Sequence, residues 1–72
     1  MYSQAIVELS KALSIAKNSK SDLPDLQRAT LFINRGIAYE KAGDLRNACK
    51  DWGAAASLGK ENAADWVRKY CD

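Results

Sequence analysis

Side chains able to do covalent or proton chemistry are few. The 72-residue chain has two cysteines, Cys49 and Cys71, and no histidine. A cysteine or serine nucleophile needs a base beside it, and imidazole is the usual one, so neither a Cys-His nor a Ser-His pair can form within the chain. Two isolated thiols do not complete a tetrahedral zinc site either. Of the acids, Glu40 and Asp51 read as solvent-facing helix residues rather than as an acid-base pair. The residue types therefore point away from an enzyme and imply no cofactor and no metal.

Charge excludes a second class of function. The Lys and Arg residues run from Lys11 to Lys69, interleaved with acids, and the formal charge is only +2. No block of like charge marks a phosphate-binding face, and the C-terminal helices mix acids with bases where a DNA-reading helix would cluster donors, so nucleic acid is not the expected partner. The opening stretch MYSQAIVELSKALSIAK has no basic start and is broken by Glu8 and Lys11, which fits neither a signal peptide nor a membrane span. Cys71 is next to last, the wrong place for prenylation. A soluble chain without membrane insertion is expected; the cytoplasm is slightly favoured, with the compartment otherwise unassigned.

The elements that hold these residues are helices. Ala5, Ile6, Leu9, Ala12, Leu13 and Ala16 recur at three- and four-residue steps and make one apolar stripe over residues 2–17. Residues 18–22 read as a loop. Asp22 is placed to cap the next helix, 23–42, with Pro24 in its first turn. Gly43 can close that helix in the left-handed conformation, and Asp44 can cap the following one, 44–58. Gly59 closes it in the same way, and a last helix spans 61–71. No segment alternates with period two, so the fold class is all-α, with about four helices in a single domain, 1–72.

The helices repeat. Ala5, Leu9, Ala12 and Ala16 match Ala48, Trp52, Ala55 and Gly59, each pair 43 positions apart, while Ala29, Phe32, Ile33 and Arg35 match Ala63, Trp66, Val67 and Lys69 at an offset of 34. Helices one and three are copies, as are helices two and four. The surplus in the first offset falls between Asn18 and Arg28, where it should lengthen the loop and extend the start of helix two.

Residues 29–59 resemble one complete tetratricopeptide repeat, whose period is the second offset. Phe32, Arg35-Gly36 and Tyr39 stand where that family has an aromatic, Leu-Gly and Tyr on its first helix, and Ala48 and Trp52 where it has Ala and an aromatic on its second. Arg35 replaces the usual Leu, and Lys60 stands where a Pro commonly ends the unit. The resemblance covers nearly the whole chain, as the second helix of a preceding repeat, a full repeat and a C-terminal capping helix, and it implies antiparallel hairpins of an α-solenoid. The chain then reads as part, or the C-terminal end, of a longer array.

The resemblance also implies a function, a non-catalytic module that binds a protein or peptide along its concave face. The positions that line that face are Thr30, Ile33, Asn34, Ile37 and Lys41 on helix two, with Ala64, Val67 and Arg68 on helix four. Asn34 and Arg68 fall where some co-chaperone repeats grip a terminal carboxylate, and Ala64 replaces the companion Lys. Cys49 lies on the side that in the family meets the next helix, which Cys71 ends, so the two form either a disulfide pinning that helix or a pair of buried thiols in a reducing compartment. Helix one has the form of a second helix without its partner. Its stripe of Ile6, Leu9 and Leu13 should pack on helix two, and a homodimer through these residues is the alternative role expected of the chain.

Overall fold

The computed structural model describes residues 2–18 and 24–71, with the side chains of 16–18 left aside. The described residues form helices alone: α1 (Tyr2–Asn18), α2 (Asp25–Lys41), α3 (Leu45–Ser57) and α4 (Glu61–Tyr70). Each packs on its successor in the chain, α1 on α2, α2 on α3 and α3 on α4. The all-α hairpin arrangement expected from the periodicity is present.

Local chemistry explains the boundaries. Helix α2 starts at Asp25, later than the expected 23–42 range, and Pro24 stands just outside it with extended backbone. The reason is that the Pro24 carbonyl accepts the first amides, Gln27 N at 2.9 Å and Arg28 N at 3.0 Å, so the ring stays at the cap rather than in the first turn. The proposed Asp22 cap lies outside the described residues. Asp44 does cap α3: its carboxylate accepts from the backbone N–H of Asn47 at 3.2 Å and from the Asn47 side-chain amide at 2.6 Å.

The α2–α3 and α3–α4 turns close alike. Gly43 has φ 88° and Gly59 φ 108°, the left-handed region where a side chain would be strained. After each glycine a backbone amide reaches back to the helix, Asp44 N to Tyr39 O at 2.8 Å and Lys60 N to Ala55 O at 3.1 Å. Two copies of one capping device therefore set the direction of the chain between α2 and α3 and between α3 and α4.

The core is narrow and made largely of small residues. Ala29, Ala48, Ala55 and Ala63 are fully buried, and Trp52 is the one large member of the cluster. Alanine at the crossings lets the helix axes approach, and Gly36 makes room for the Trp52 ring: a methyl built there would lie 2.6 Å from Trp52 Nε1 and 2.7 Å from Cδ1. Cys49 and Cys71 form a disulfide with Cα atoms 6.0 Å apart, tying the end of α4 to α3. For a separation of 22 residues the loop-closure gain is about 3 kcal/mol. A chain this short has little apolar area to bury, so that staple is a large share of its stability.

Two glycines in helices should answer oppositely to alanine. Gly36→Ala drives a methyl into the Trp52 ring and should destabilise the fold by about 1–3 kcal/mol. Gly53→Ala meets nothing within 4 Å in the middle of α3 and should stabilise by about 0.5–1 kcal/mol. Urea denaturation of the two variants followed by far-UV circular dichroism checks both signs.

Candidate functional site

The polar group most deeply placed is an ion pair. Asp51 is buried rather than solvent-facing as its sequence position suggested, because it precedes Trp52 on the α3 face that meets α2. Arg35 grips it with both arms of the guanidinium, Nε to Oδ2 at 2.8 Å and Nη2 to Oδ1 at 2.6 Å, and sends Nη1 to Ser10 Oγ on α1 at 3.1 Å. The same guanidinium lies 5.6 Å from the Phe32 ring centroid and 5.8 Å from that of Tyr39. The hydrogen bonds to Asp51 hold Arg35 above its ordinary value against the desolvation that burial imposes. One side chain thus fastens α1, α2 and α3 together.

Two cavities flank α2. The larger, about 580 Å³, opens between α1, α2 and α3 and is lined by Leu13, Phe32, Leu58 and the two arginines Arg28 and Arg35. Both guanidinium groups there are engaged, Arg35 by Asp51 and Arg28 by Asp25 at 3.3 Å. The smaller, about 160 Å³, lies where α2, α3 and α4 meet and is lined by Ile37, Glu40, Trp52, Trp66 and Tyr70. Ile33, Ile37 and Glu40 recur at four and then three residues, so they share one stripe of α2, away from the stripe of Arg28, Phe32 and Arg35.

The residues expected to form a concave surface divide. Thr30, Asn34, Lys41 and Arg68 are exposed, and Ile37 lines the smaller cavity. Ile33 and Val67 are half-buried against the Ala-Trp core, so they hold the face in place more than they present it. Ala64 is half-buried as well. Thr30 Oγ1 donates to Leu26 O at 2.9 Å within its own helix. Arg68 pairs with Asp65, three residues back, while Lys69 lies 5.4 Å from the Tyr70 ring centroid. Asn34 and Arg68 both lie on the surface, Arg68 with the Asp65 carboxylate beside it.

Trp52, Trp66, Tyr70 and Glu40 were not among the candidates read from the sequence. Trp52 meets Trp66 edge to face, with centroids 5.6 Å apart and planes at 64°, and meets Tyr70 at 6.1 Å and 51°. The aromatics of helices three and four were visible as packing residues, but their convergence depends on how α4 folds back across α3. Among the described residues no cluster of metal-ligating side chains occurs and no helix is long and apolar enough to cross a membrane. No protein-family model, curated protein or solved structure matches the chain.

The ion pair makes an asymmetric prediction. Asp51→Ala leaves the Arg35 charge unpaired in a half-buried site and should cost about 3–5 kcal/mol, whereas adding Arg35→Leu in the same chain should restore most of that loss. A double-mutant cycle by urea denaturation reads the difference.

Proposed function

We propose that the chain is a tetratricopeptide-type interaction module, without chemistry of its own, that binds a polypeptide partner on the face shared by α2 and α4. The observation that carries this reading is the cavity at the junction of α2, α3 and α4, which joins Ile37 to the aromatic rings of α3 and α4 beside the exposed Asn34 and Lys41. A recessed apolar site with polar residues at its rim is the anatomy of a peptide-recognition surface. The two sequence offsets, the paired glycine turns and the small-residue crossings support the family resemblance.

The disulfide supports an oxidising compartment for the chain, against the slight leaning of the sequence towards the cytoplasm, because such bonds persist where thiols are not kept reduced. A second reading, self-association through α1, draws on different residues from those expected. Leu13 is buried and Ile6 and Leu9 are half-buried as α1 packs on α2, while Tyr2 and Val7 on the same helix are 48% and 51% exposed. A dimer of this kind should weaken at least tenfold with Val7→Glu, an effect of about 1.4 kcal/mol, and sedimentation equilibrium that gives one dissociation constant for both chains sinks it.

Peptides selected on the immobilised chain from a random display library test the main reading. Enriched peptides should lose about tenfold or more in affinity with Ile37→Asp, a loss of apolar contact in the recess, and keep it with Lys11→Glu on α1. Enrichment that ignores Ile37 and depends on α1 contradicts the assignment of the face.

A further inference from the structure

The smaller cavity has a composition that selects one kind of ligand. Three of its five lining residues are aromatic, Trp52, Trp66 and Tyr70, one is aliphatic, Ile37, and the fifth, Glu40, carries its only charge. Trp52 stands at 64° to Trp66 and at 51° to Tyr70, so the rings do not form a flat stack. Trp52, 2% exposed, makes the floor, and Tyr70, 47% exposed, stands at the rim. Glu40 is exposed, and its carboxylate makes no ion pair or hydrogen bond among the described residues. At about 160 Å³ the space falls well below the roughly 300–1,000 Å³ of pockets for drug-sized ligands and suits a single head group.

From this we infer that the cavity is an aromatic cage for an alkylated ammonium group. Ring faces carry negative quadrupole potential and attract a cation, most strongly when the site is desolvated. The chain already sets one cation against this wall, since Lys69 Nζ lies 5.4 Å from the Tyr70 centroid without lining the cavity. A bare primary ammonium has three N–H donors to satisfy and is strongly hydrated, and the cavity lining offers a single carboxylate. A trimethylated ammonium has no N–H, spreads its charge over methyl groups that fit ring faces, and still gains from Glu40. An anion is disfavoured by the same carboxylate. The head group could belong to a methylated lysine of a polypeptide or to a free quaternary ammonium compound. This assignment uses the same face as the proposed interaction surface but does not require a polypeptide, so either can fail alone.

Both tryptophans of the chain line the cavity, which makes intrinsic fluorescence a direct reporter. The intact, disulfide-bonded chain is titrated with choline chloride, with 3,3-dimethylbutanol as its uncharged isostere, and with acetylated, amidated trimethyllysine and lysine, all at matched ionic strength. Choline or the trimethyllysine compound, or both, should give a saturable change, with the uncharged isostere and unmethylated lysine weaker by about tenfold. Binding of both says that the head group alone is read; binding of one says which source the site prefers. Glu40→Gln should weaken binding several-fold and Tyr70→Leu by about tenfold, with the far-UV spectrum unchanged. Equal binding of the uncharged isostere, or no saturation by either cation up to about 100 mM, overturns the inference.

Discussion

Gly36 brings α2 and α3 together so closely that the Trp52 indole lies where any side chain at that position would have to be. The rest of the structure depends on this approach. Among the described residues Trp52 is the one large member of a buried cluster otherwise built of alanines, and it contacts the next helix through Trp66 and Tyr70. Its Nε1 has no acceptor among the described residues. An unpaired buried N–H costs about 1–3 kcal/mol, comparable to the gain from burying an apolar side chain, so the ring is held by packing and not by a polar anchor.

Around that crossing the chain uses two different fasteners. On one side of α2, Arg35 joins Asp51 and Ser10 and so ties three helices through one guanidinium. On the other side the disulfide holds the end of α4 against α3. A buried pair of this kind contributes less to net stability than to fixing one arrangement, because desolvation offsets much of the attraction. The covalent link acts by restricting the unfolded chain instead. The disulfide thus holds a short last helix, whose Ala63, Trp66 and Val67 pack on the core, against α3, and the aromatic cavity lies at that junction.

Much of this architecture was legible in the residues. The apolar stripe of α1 as far as Leu13, the left-handed glycines Gly43 and Gly59 and the Asp44 cap are local features, set by spacing within a few residues, and they occur where the pattern put them. The site was legible only in part. Ile37, named through the family resemblance, lines the cavity, but Glu40, Trp52, Trp66 and Tyr70 come from three helices, and no spacing along the chain announces that they share it. Asp51 misled for a related reason: an acid beside a tryptophan on an amphipathic helix looks solvent-facing until a partner reaches it from another helix. The departure at Arg35, where a leucine was expected, was the available signal that such a partner exists.

Proton–proton contacts to the Trp52 indole in a nuclear Overhauser spectrum of the oxidised chain test this account most directly. It predicts strong cross-peaks from the indole Hδ1 and Hε1 to the Gly36 α-protons, together with ring-to-ring cross-peaks from Trp52 to Trp66 and Tyr70. An indole that shows no contact with Gly36, or that meets α1 residues in place of those on α4, would contradict it.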